Sequence, residues 1–290
     1  GGIGSGLLGA AAALTRPEGV LIMGLLGLFD LNRAWRMRRL DRVFLKRYAS
    51  FVAPVALHLT WRFLYYGDYV PNTARAKVGG GFGALLRGIE YLGDFALVTW
   101  PLLLLALAGS VFLYRRRDQL GAGSWSVVVI PLVYMGYVSY VGGDFKPTFR
   151  FLATPSIYLV ALASVGLCRL AETLWQKHQQ LLAIGLALAS GAVLLSHGGG
   201  SRTFAEWRAG VLPVHRAAGF WLGENLPPDT WLATGNAGVL PFLSKLPTID
   251  MFGLCDRHIA MREMPNMGAG GAGHEKGDGG YVLDRAPGVI

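Results

Sequence analysis

The sequence predicts an α-helical, multi-pass membrane protein with a small α/β domain at its C-terminal end. Apolar residues make up 52% of the 290-residue chain and charged residues only 16%, with a mean hydropathy of +0.40. Uncharged runs of nearly bilayer length recur along the first two thirds of the chain. These values exclude a disordered chain, a coiled coil and a typical cytosolic enzyme, and the two cysteines exclude a disulfide scaffold.

A transmembrane domain is predicted over residues 1–197, with about seven helical segments. The run 95–114 carries no charge and is long enough to cross a bilayer as a helix. The segment 48–66 is less apolar because it contains His58 and Arg62. Pro17 favours a new helix after the first segment, since proline suits a first turn and not a helix interior. The predicted segments are 1–14, 19–31, 48–66, 95–114, 124–141, 151–168 and 181–196.

Residues 198–290 are predicted to form an extracytoplasmic domain, because the apolar segments stop at a run of three glycines. Short strands are expected at Thr230–Thr234 and Pro247–Met251, with a helical turn over Ala237–Ser244 between them. Apolar residues at helical spacing over Ala205–Leu222 indicate an amphipathic helix.

Basic residues predict the orientation of the chain. Seven lysines and arginines fall within 33–47, and further basic groups follow the segments 95–114 and 151–168. Alternate crossings place all three groups on one side, which the positive-inside rule makes cytoplasmic. The formal charge of +9 is therefore mainly a topology signal, and nucleic acid is not an expected partner.

Two polar clusters are predicted on the outer side near the first spans. Arg16 and Glu18 precede a short span and are expected to dip into the membrane, where a charge costs about 2.5–3.5 kcal/mol and usually marks a function. The alternative is an ion pair that only fixes the helix turn. Asp68 is a candidate acid or metal ligand, and Lys77 could meet a phosphate. The alternative there is an interfacial turn with snorkelling basic residues.

Two further clusters are predicted on the same side. Arg150 begins a span at its outer end, against the positive-inside tendency, so an anionic ligand explains it better than topology does. The alternative is a structural pair between Asp144 and Arg150. His274, Glu275 and Asp278 lie in a glycine-rich stretch of the tail and are candidate metal ligands, for which a solvated loop is the alternative interpretation.

These clusters, taken in order, resemble one group of GT-C membrane glycosyltransferases. This group includes the terminal β-(1→2)-arabinofuranosyltransferases of actinobacterial cell-wall arabinan and related bacterial membrane proteins linked to motility. The resemblance spans nearly the whole chain, and its motifs are moderately specific only as an ordered set. They are Leu14-Thr15-Arg16-Pro17-Glu18-Gly19; Tyr65-Tyr66-Gly67-Asp68 with Pro71-Asn72-Thr73 and Lys77; Gly142-Gly143-Asp144-Phe145 with Arg150-Phe151-Leu152; Thr248-Ile249-Asp250 with Gly253-Leu254, Asp256 and His258-Ile259-Ala260; and Gly273-His274-Glu275-Lys276.

The resemblance implies a multi-pass enzyme of the bacterial plasma membrane with a periplasmic C-terminal domain. Such an enzyme would move a sugar, with arabinofuranose as one candidate, from a polyprenyl-phosphate donor to a cell-envelope glycan on the outer side. It also implies inverting transfer assisted by an acidic residue in the first outer loop. That loop, and with it the main catalytic base, is expected upstream of Gly1.

The resemblance and the chemistry of the clusters together suggest residue roles. Glu18, Asp68 and Asp144 are the candidate catalytic carboxylates, which could orient the acceptor hydroxyl or hold a divalent cation such as Mg²⁺, Mn²⁺ or Ca²⁺. Fixed cations would stabilise the leaving lipid phosphate. The candidates for donor-phosphate binding are Arg16, Lys77 and Arg150, and those for substrate positioning are Tyr66, Asn72, His274 and Glu275.

Two other function classes remain open from the sequence. A non-catalytic membrane protein for assembly or motility would hold partners through its tail, and its outer carboxylates would tolerate replacement. A transporter or flippase would need a polar path across the whole bilayer, often built from paired repeats. The uncharged runs 95–114 and 181–196 offer no such path.

Overall fold

Helices dominate the structure, a computed structural model that describes residues 1–78, 81–116, 122–144, 148–175, 205–206, 208–265, 267–268, 270–271 and 273–290. The chain divides into two units. Unit 1 contains Gly1–Tyr69, Thr99–Tyr137 and Leu152–Ser190, and unit 2 contains Val70–Val98, Val138–Phe151 and Gly191–Ile290. The predicted segment 181–196 lies outside the described residues. The predicted domain boundary after residue 197 stays a prediction, since it falls there too.

Unit 1 begins with three helices, α1 (Gly2–Thr15), α2 (Glu18–Arg36) and α3 (Arg42–Tyr66). The predicted break between the first two is confirmed, because Arg16 is extended and Pro17 precedes the first turn of α2. The carboxylate of Asp41 caps α3 by accepting from the amide of Val43 at 3.0 Å. Helix α1 packs closely on α3, and a core of Ala10, Met23 and Phe51 lies among the three helices.

Three longer helices follow in the chain: α5 (Phe82–Arg115), α6 (Ser126–Tyr140) and α7 (Ala153–Trp175). They form the core of the three candidate membrane spans, Phe82–Arg115, Gly123–Tyr140 and Arg150–Glu172, which are long and apolar enough to cross a bilayer. Large apolar side chains on them, such as Leu97 and Ile157, are exposed to the surroundings. Extended apolar surface of this kind suits lipid better than water, so the structure indicates a membrane protein.

Helix α5 is longer than the apolar run that predicted it, since it begins at Phe82 and not at Phe95. Arg87, Glu90 and Asp94 interrupt the hydropathy of this stretch, but charged residues do not prevent a helix. The backbone leaves helical geometry only at Thr99, two residues before Pro101. Proline lacks an amide donor and its ring collides with the preceding turn, which explains a kink at this position.

Unit 2 contains the short helix α4 (Asn72–Lys77) and a small α/β module. In the module, strand β1 (Leu232–Thr234) pairs in parallel with β2 (Thr248–Asp250). Ala233, Ile249, Ile259 and Val282 form its buried core. The strands and the helical turn lie within their predicted ranges, and the predicted amphipathic helix is observed. The helices are α8 (208–225), α9 (Val239–Ser244), α10 (Arg257–Met261) and α11 (Gly279–Asp284).

Candidate functional site

Glu275 is a buried carboxylate that ties a glycine-rich segment to α5. Its side chain is 4% exposed, and its Oε1 atom accepts from the amides of Gly268 at 2.6 Å and Gly270 at 2.9 Å. Its Oε2 atom forms an ion pair with Arg87 at 3.1 Å. Glu275 therefore acts here as an internal anchor, and the predicted solvated loop is wrong for this residue.

Arg87 extends this anchor to a second loop. Its Nε atom donates to the carbonyl of Gly142 at 3.0 Å, and its NH1 atom donates to the carbonyl of Gly270 at 2.6 Å. Gly142 has a φ of +84°, and a Cβ atom built there would lie 2.8 Å from the Arg87 guanidinium. Glycine is required at this turn for both reasons. One arginine thus connects α5, the turn after α6 and the glycine-rich segment.

Lys77 packs against Gly273, and His274 is the next residue in the chain. A Cβ atom built on Gly273 would be 3.1 Å from Cγ of Lys77, and the φ of Gly273 is +80°. The imidazole of His274 is exposed and meets the ring of Phe252 edge-on, with centroids 5.0 Å apart. The structure therefore brings together three of the predicted residues, Lys77, His274 and Glu275. We call Lys77, Arg87, His274 and Glu275 the Gly273 site.

Further polar groups lie on the two helices next to this site, since α4 packs against α10. At the start of α4, the Asn72 amide donates to the carbonyl of Cys255 at 3.5 Å. Lys276 donates to the carbonyl of Ala260 at 2.6 Å. Burial lowers the pKa of Lys276, and the positive charge of Arg75 lowers it further while Glu263 opposes the shift. Lys276 and Arg75 are therefore two basic side chains near each other, with the carboxylate of Glu263 close by.

Asp144 and Arg150 form a bidentate ion pair. Arg150 donates to both carboxylate oxygens of Asp144, through Nε to Oδ2 and through NH2 to Oδ1. The Asp144 side chain is buried and that of Arg150 is partly exposed. This geometry is the structural pair that the sequence left as an alternative. The Arg150 side chain is 44% exposed, and its guanidinium also lies 5.3 Å from the ring centroid of Phe151.

The remaining predicted residues belong to unit 1. Arg16 and Glu18 form an ion pair at 3.3 Å through Oε1 of Glu18. The other carboxylate oxygen of Glu18 is buried and has no hydrogen-bond partner among the described residues. Tyr66 is exposed, with the guanidinium of Arg62 5.2 Å from its ring centroid. Asp68 follows the left-handed Gly67 that ends α3.

A second set of polar contacts surrounds Asp278 at the start of α11. Its Oδ2 atom lies 3.0 Å from Nε2 of His258, and its Oδ1 atom accepts from the amide of Tyr281 at 3.1 Å. The hydrogen bond with His258, followed by that from Tyr281, lowers the pKa of the Asp278 carboxyl. The His258 ring stacks on Tyr281 with centroids 4.1 Å apart. These contacts fix the capping carboxylate and the imidazole relative to each other.

The carboxyl ends of the two parallel strands carry a third polar group. The amide of Asn236 donates to Oγ1 of Thr234 at 3.1 Å, and its side-chain nitrogen lies 2.8 Å from Nδ1 of His215. Asp250 is buried and accepts from the amides of Phe252 at 3.0 Å and Cys255 at 2.7 Å. Ligands of open α/β sheets bind at this edge.

The sequence did not identify Arg87 or the pair of His215 and Asn236. Asp278 was predicted as a candidate metal ligand and His258 belonged to an ordered motif, but their contact with each other was not predicted. Polar residues at the ends of the two strands were a usable signal for the strand edge, since Asp250 is the last residue of β2 and Asn236 lies two residues after β1. Arg87 offered no local signal, because its partners are distant in sequence. Within the described ranges, no three His, Cys, Asp or Glu side chains are grouped as metal ligands, and the divalent cation stays a prediction.

Residues 204–289 match the model of a protein family described as a domain of unknown function, DUF8728. The matched region includes α8, both strands and the 273–275 part of the Gly273 site. No curated protein and no solved structure matches the chain.

Proposed function

We propose that the protein is an integral membrane glycosyltransferase that uses a polyprenyl-phosphate sugar as donor and a cell-envelope glycan as acceptor. Support comes from three helices that are apolar enough to cross a membrane and from the ordered motifs of the sequence. The observation that carries the proposal is the Gly273 site, where Lys77 lies against Gly273 next to His274. A fixed cation in a partly desolvated site is what a departing lipid phosphate requires.

The proposed reaction transfers the sugar from the donor phosphate to a hydroxyl group of the acceptor. The acceptor hydroxyl oxygen forms a bond to the anomeric carbon, while the bond from that carbon to the phosphate oxygen breaks. The electron pair of the broken bond stays on the phosphate, whose new charge Lys77 and Arg75 would stabilise. The hydroxyl proton passes to a carboxylate, for which Glu18, Asp68 and Asp144 are the candidates within this chain. His274 and Asn72 would orient the sugar, and Arg150 would add positive charge near the phosphate. Glu275 would hold the segment that carries His274. The roles suggested by the sequence for Arg16 and Tyr66, which belong to unit 1, stay predictions.

Binding of undecaprenyl phosphate to the purified full chain in detergent tests the proposal. We expect Lys77→Gln to weaken this binding about tenfold, since a charge-assisted contact to phosphate is worth roughly 1.5 kcal/mol. Lys245→Gln is the matched control, because Lys245 lies at the end of α9 against Phe242 and not at the site. Equal affinities of the wild type and Lys77→Gln would contradict the proposed phosphate contact.

A transfer assay separates catalysis from binding. Membranes containing the chain are incubated with a radiolabelled polyprenyl-phosphate sugar and an oligosaccharide acceptor, and labelled product is measured. We expect Lys77→Gln to reduce product formation and Lys245→Gln to leave it unchanged. Binding without any transfer would favour the non-catalytic assembly protein, and uptake of the lipid across vesicles would favour the flippase.

A further inference from the structure

A cavity of about 240 Å³ lies between the end of α2 and the start of α3. Five charged side chains line it: Asp30, Arg33, Arg39, Asp41 and Arg47. The chain reverses direction here through Arg38, whose φ of +50° is left-handed. The turn brings Arg33, which precedes it, and Arg39 and Arg47, which follow it, to the same cavity. All the residues that line the cavity belong to unit 1.

The two carboxylates of the cavity are already used by the protein. Asp30 accepts from Arg47 and from the hydroxyl of Tyr48 at 3.2 Å, and Asp41 caps α3. Within the described part of the chain, the side chains of Arg33 and Arg39 have neither an ion pair nor a hydrogen bond. Three arginines against two aspartates leave the lining net positive, and Arg33 and Arg39 are the two guanidinium groups in it that an anion would pair with.

The surface around the cavity is apolar as well as basic. Trp35 is 81% exposed, and Met37 and Leu40 are exposed beside it. Tryptophan next to arginine is typical of the membrane–water interface, where the ring lies at the head groups and the cation meets lipid phosphate. The basic residues outside the cavity, such as Arg36 and Arg38, add to the local positive charge. A soluble anion would not need this apolar border.

We propose that this cavity binds the phosphate of an anionic phospholipid head group, with Arg33 and Arg39 as the ligands. The volume is below the range of about 300–1,000 Å³ for pockets that enclose a whole small molecule, so it suits a head group whose acyl chains stay outside. Free inorganic phosphate shares the chemistry of the head group and is the competing occupant. The site is independent of the proposed glycosyltransferase activity.

Native mass spectrometry of the full chain in detergent tests the site, with dioleoylphosphatidylglycerol as the probe and dioleoylphosphatidylcholine as the uncharged comparison. We expect the double variant Arg33→Gln/Arg39→Gln to bind the phosphatidylglycerol about thirtyfold more weakly than the wild type, the loss of two surface-type charge contacts. Arg36→Gln/Arg38→Gln is the matched control, since it removes the same charge from residues that do not line the cavity. This control is expected to lose clearly less affinity, because Arg36 and Arg38 lie outside the cavity and contribute only long-range attraction that salt screens.

Three outcomes would overturn the proposal. Equal losses in the two double variants would mean that the lipid follows the general surface charge and not the cavity. Unchanged binding in Arg33→Gln/Arg39→Gln would show that neither arginine binds the lipid phosphate. Displacement of phosphatidylglycerol by inorganic phosphate at comparable concentration would assign the cavity to a soluble anion. Circular dichroism and gel filtration of each variant confirm that the helices are intact, so that lost binding reports on the site. Transfer from the polyprenyl-phosphate sugar serves as an internal check, because it should be the same in both double variants.

Discussion

Glu275 shows how one buried carboxylate can organise a segment that has little structure of its own. Glycine, the commonest residue around it, gives the 268–273 stretch few side chains to pack. The carboxylate compensates by accepting from two backbone amides and pairing with Arg87. A buried anion is tolerable only with such partners, since an unpaired one would cost several kcal/mol. The position of His274 at the Gly273 site therefore depends on the contacts of Glu275, the next residue in the chain.

Replacing Glu275 with alanine should destabilise unit 2 by about 2–3 kcal/mol, because the change removes the ion-pair partner of Arg87 and leaves two backbone amides without their acceptor. Glu275→Gln should cost less, since the amide oxygen still accepts from Gly268 and Gly270. Thermal unfolding of the purified chain measures both effects. Glu224→Gln is the control, an exposed residue of α8 that should leave the melting temperature unchanged. Equal melting temperatures for the wild type and Glu275→Ala would show that the anchor contributes nothing.

At the scale of the helix, α5 and α7 pack through two glycines. A Cβ atom on Gly109 would be 2.0 Å from the carbonyl oxygen of Leu162, and one on Gly166 would be 2.2 Å from that of Leu105. Small residues at such crossings let helix backbones approach closely, which is how helices associate where lipid removes the hydrophobic drive. The contact joins two of the three candidate spans within unit 1.

Gly166→Ala should therefore destabilise the protein by about 2 kcal/mol, since a methyl group against a backbone carbonyl forces the helices apart. Gly136→Ala is the matched control. Gly136 lies within α6, and a Cβ atom there would have no neighbour within 4 Å. Because alanine has a higher helix propensity than glycine, Gly136→Ala should leave the stability of the protein unchanged or raise it by up to about 1 kcal/mol. Thermal unfolding in detergent compares the two variants. A melting temperature of Gly166→Ala at or above that of Gly136→Ala would contradict the close packing.

The same helices show which parts of the fold could be predicted from the sequence. Lipid requires uncharged runs, so helices over 95–114, 124–141 and 151–168 could be predicted. Only the bounds of 124–141 agree with the structure to within two residues, since α5 begins earlier and α7 ends later. The first turns of α5 could not be predicted in this way, because Arg87 and Glu90 lower the hydropathy of this stretch and make it resemble a loop. The pairing of Asp144 with Arg150 was foreseen as an alternative since the two are close in sequence. The pairing of Arg87 with Glu275 depends on chain folding between distant segments, which no local pattern records.

At the scale of the whole molecule, the basic residues should decide how the chain lies across a bilayer. Seven of them fall within 33–47, around the arginine cavity, and the module that ends the chain carries none of the candidate spans. The positive-inside rule then predicts a cytoplasmic arginine cavity and an extracytoplasmic Cys255. Both cysteines of the sequence are free and exposed, which allows the prediction to be tested with thiol reagents.

A membrane-impermeant maleimide should label Cys255 in intact cells that express Cys168→Ser. In the background Cys168→Ser/Cys255→Ser, a thiol introduced by Arg38→Cys should react only after the membrane is permeabilised. Burial, with the negative charge of Asp250, raises the pKa of the Cys255 thiol. Because the thiolate is the reactive form, labelling should be faster at mildly alkaline pH than at neutral pH. The double-serine variant without a new thiol gives the background signal.

Labelling at position 38 without permeabilisation, together with protection of Cys255, would invert the orientation and place the arginine cavity outside the cell. The proposed glycan transfer would then have to occur on the cytoplasmic side, where a cell-envelope acceptor is not exposed, so this experiment also bears on the proposed function.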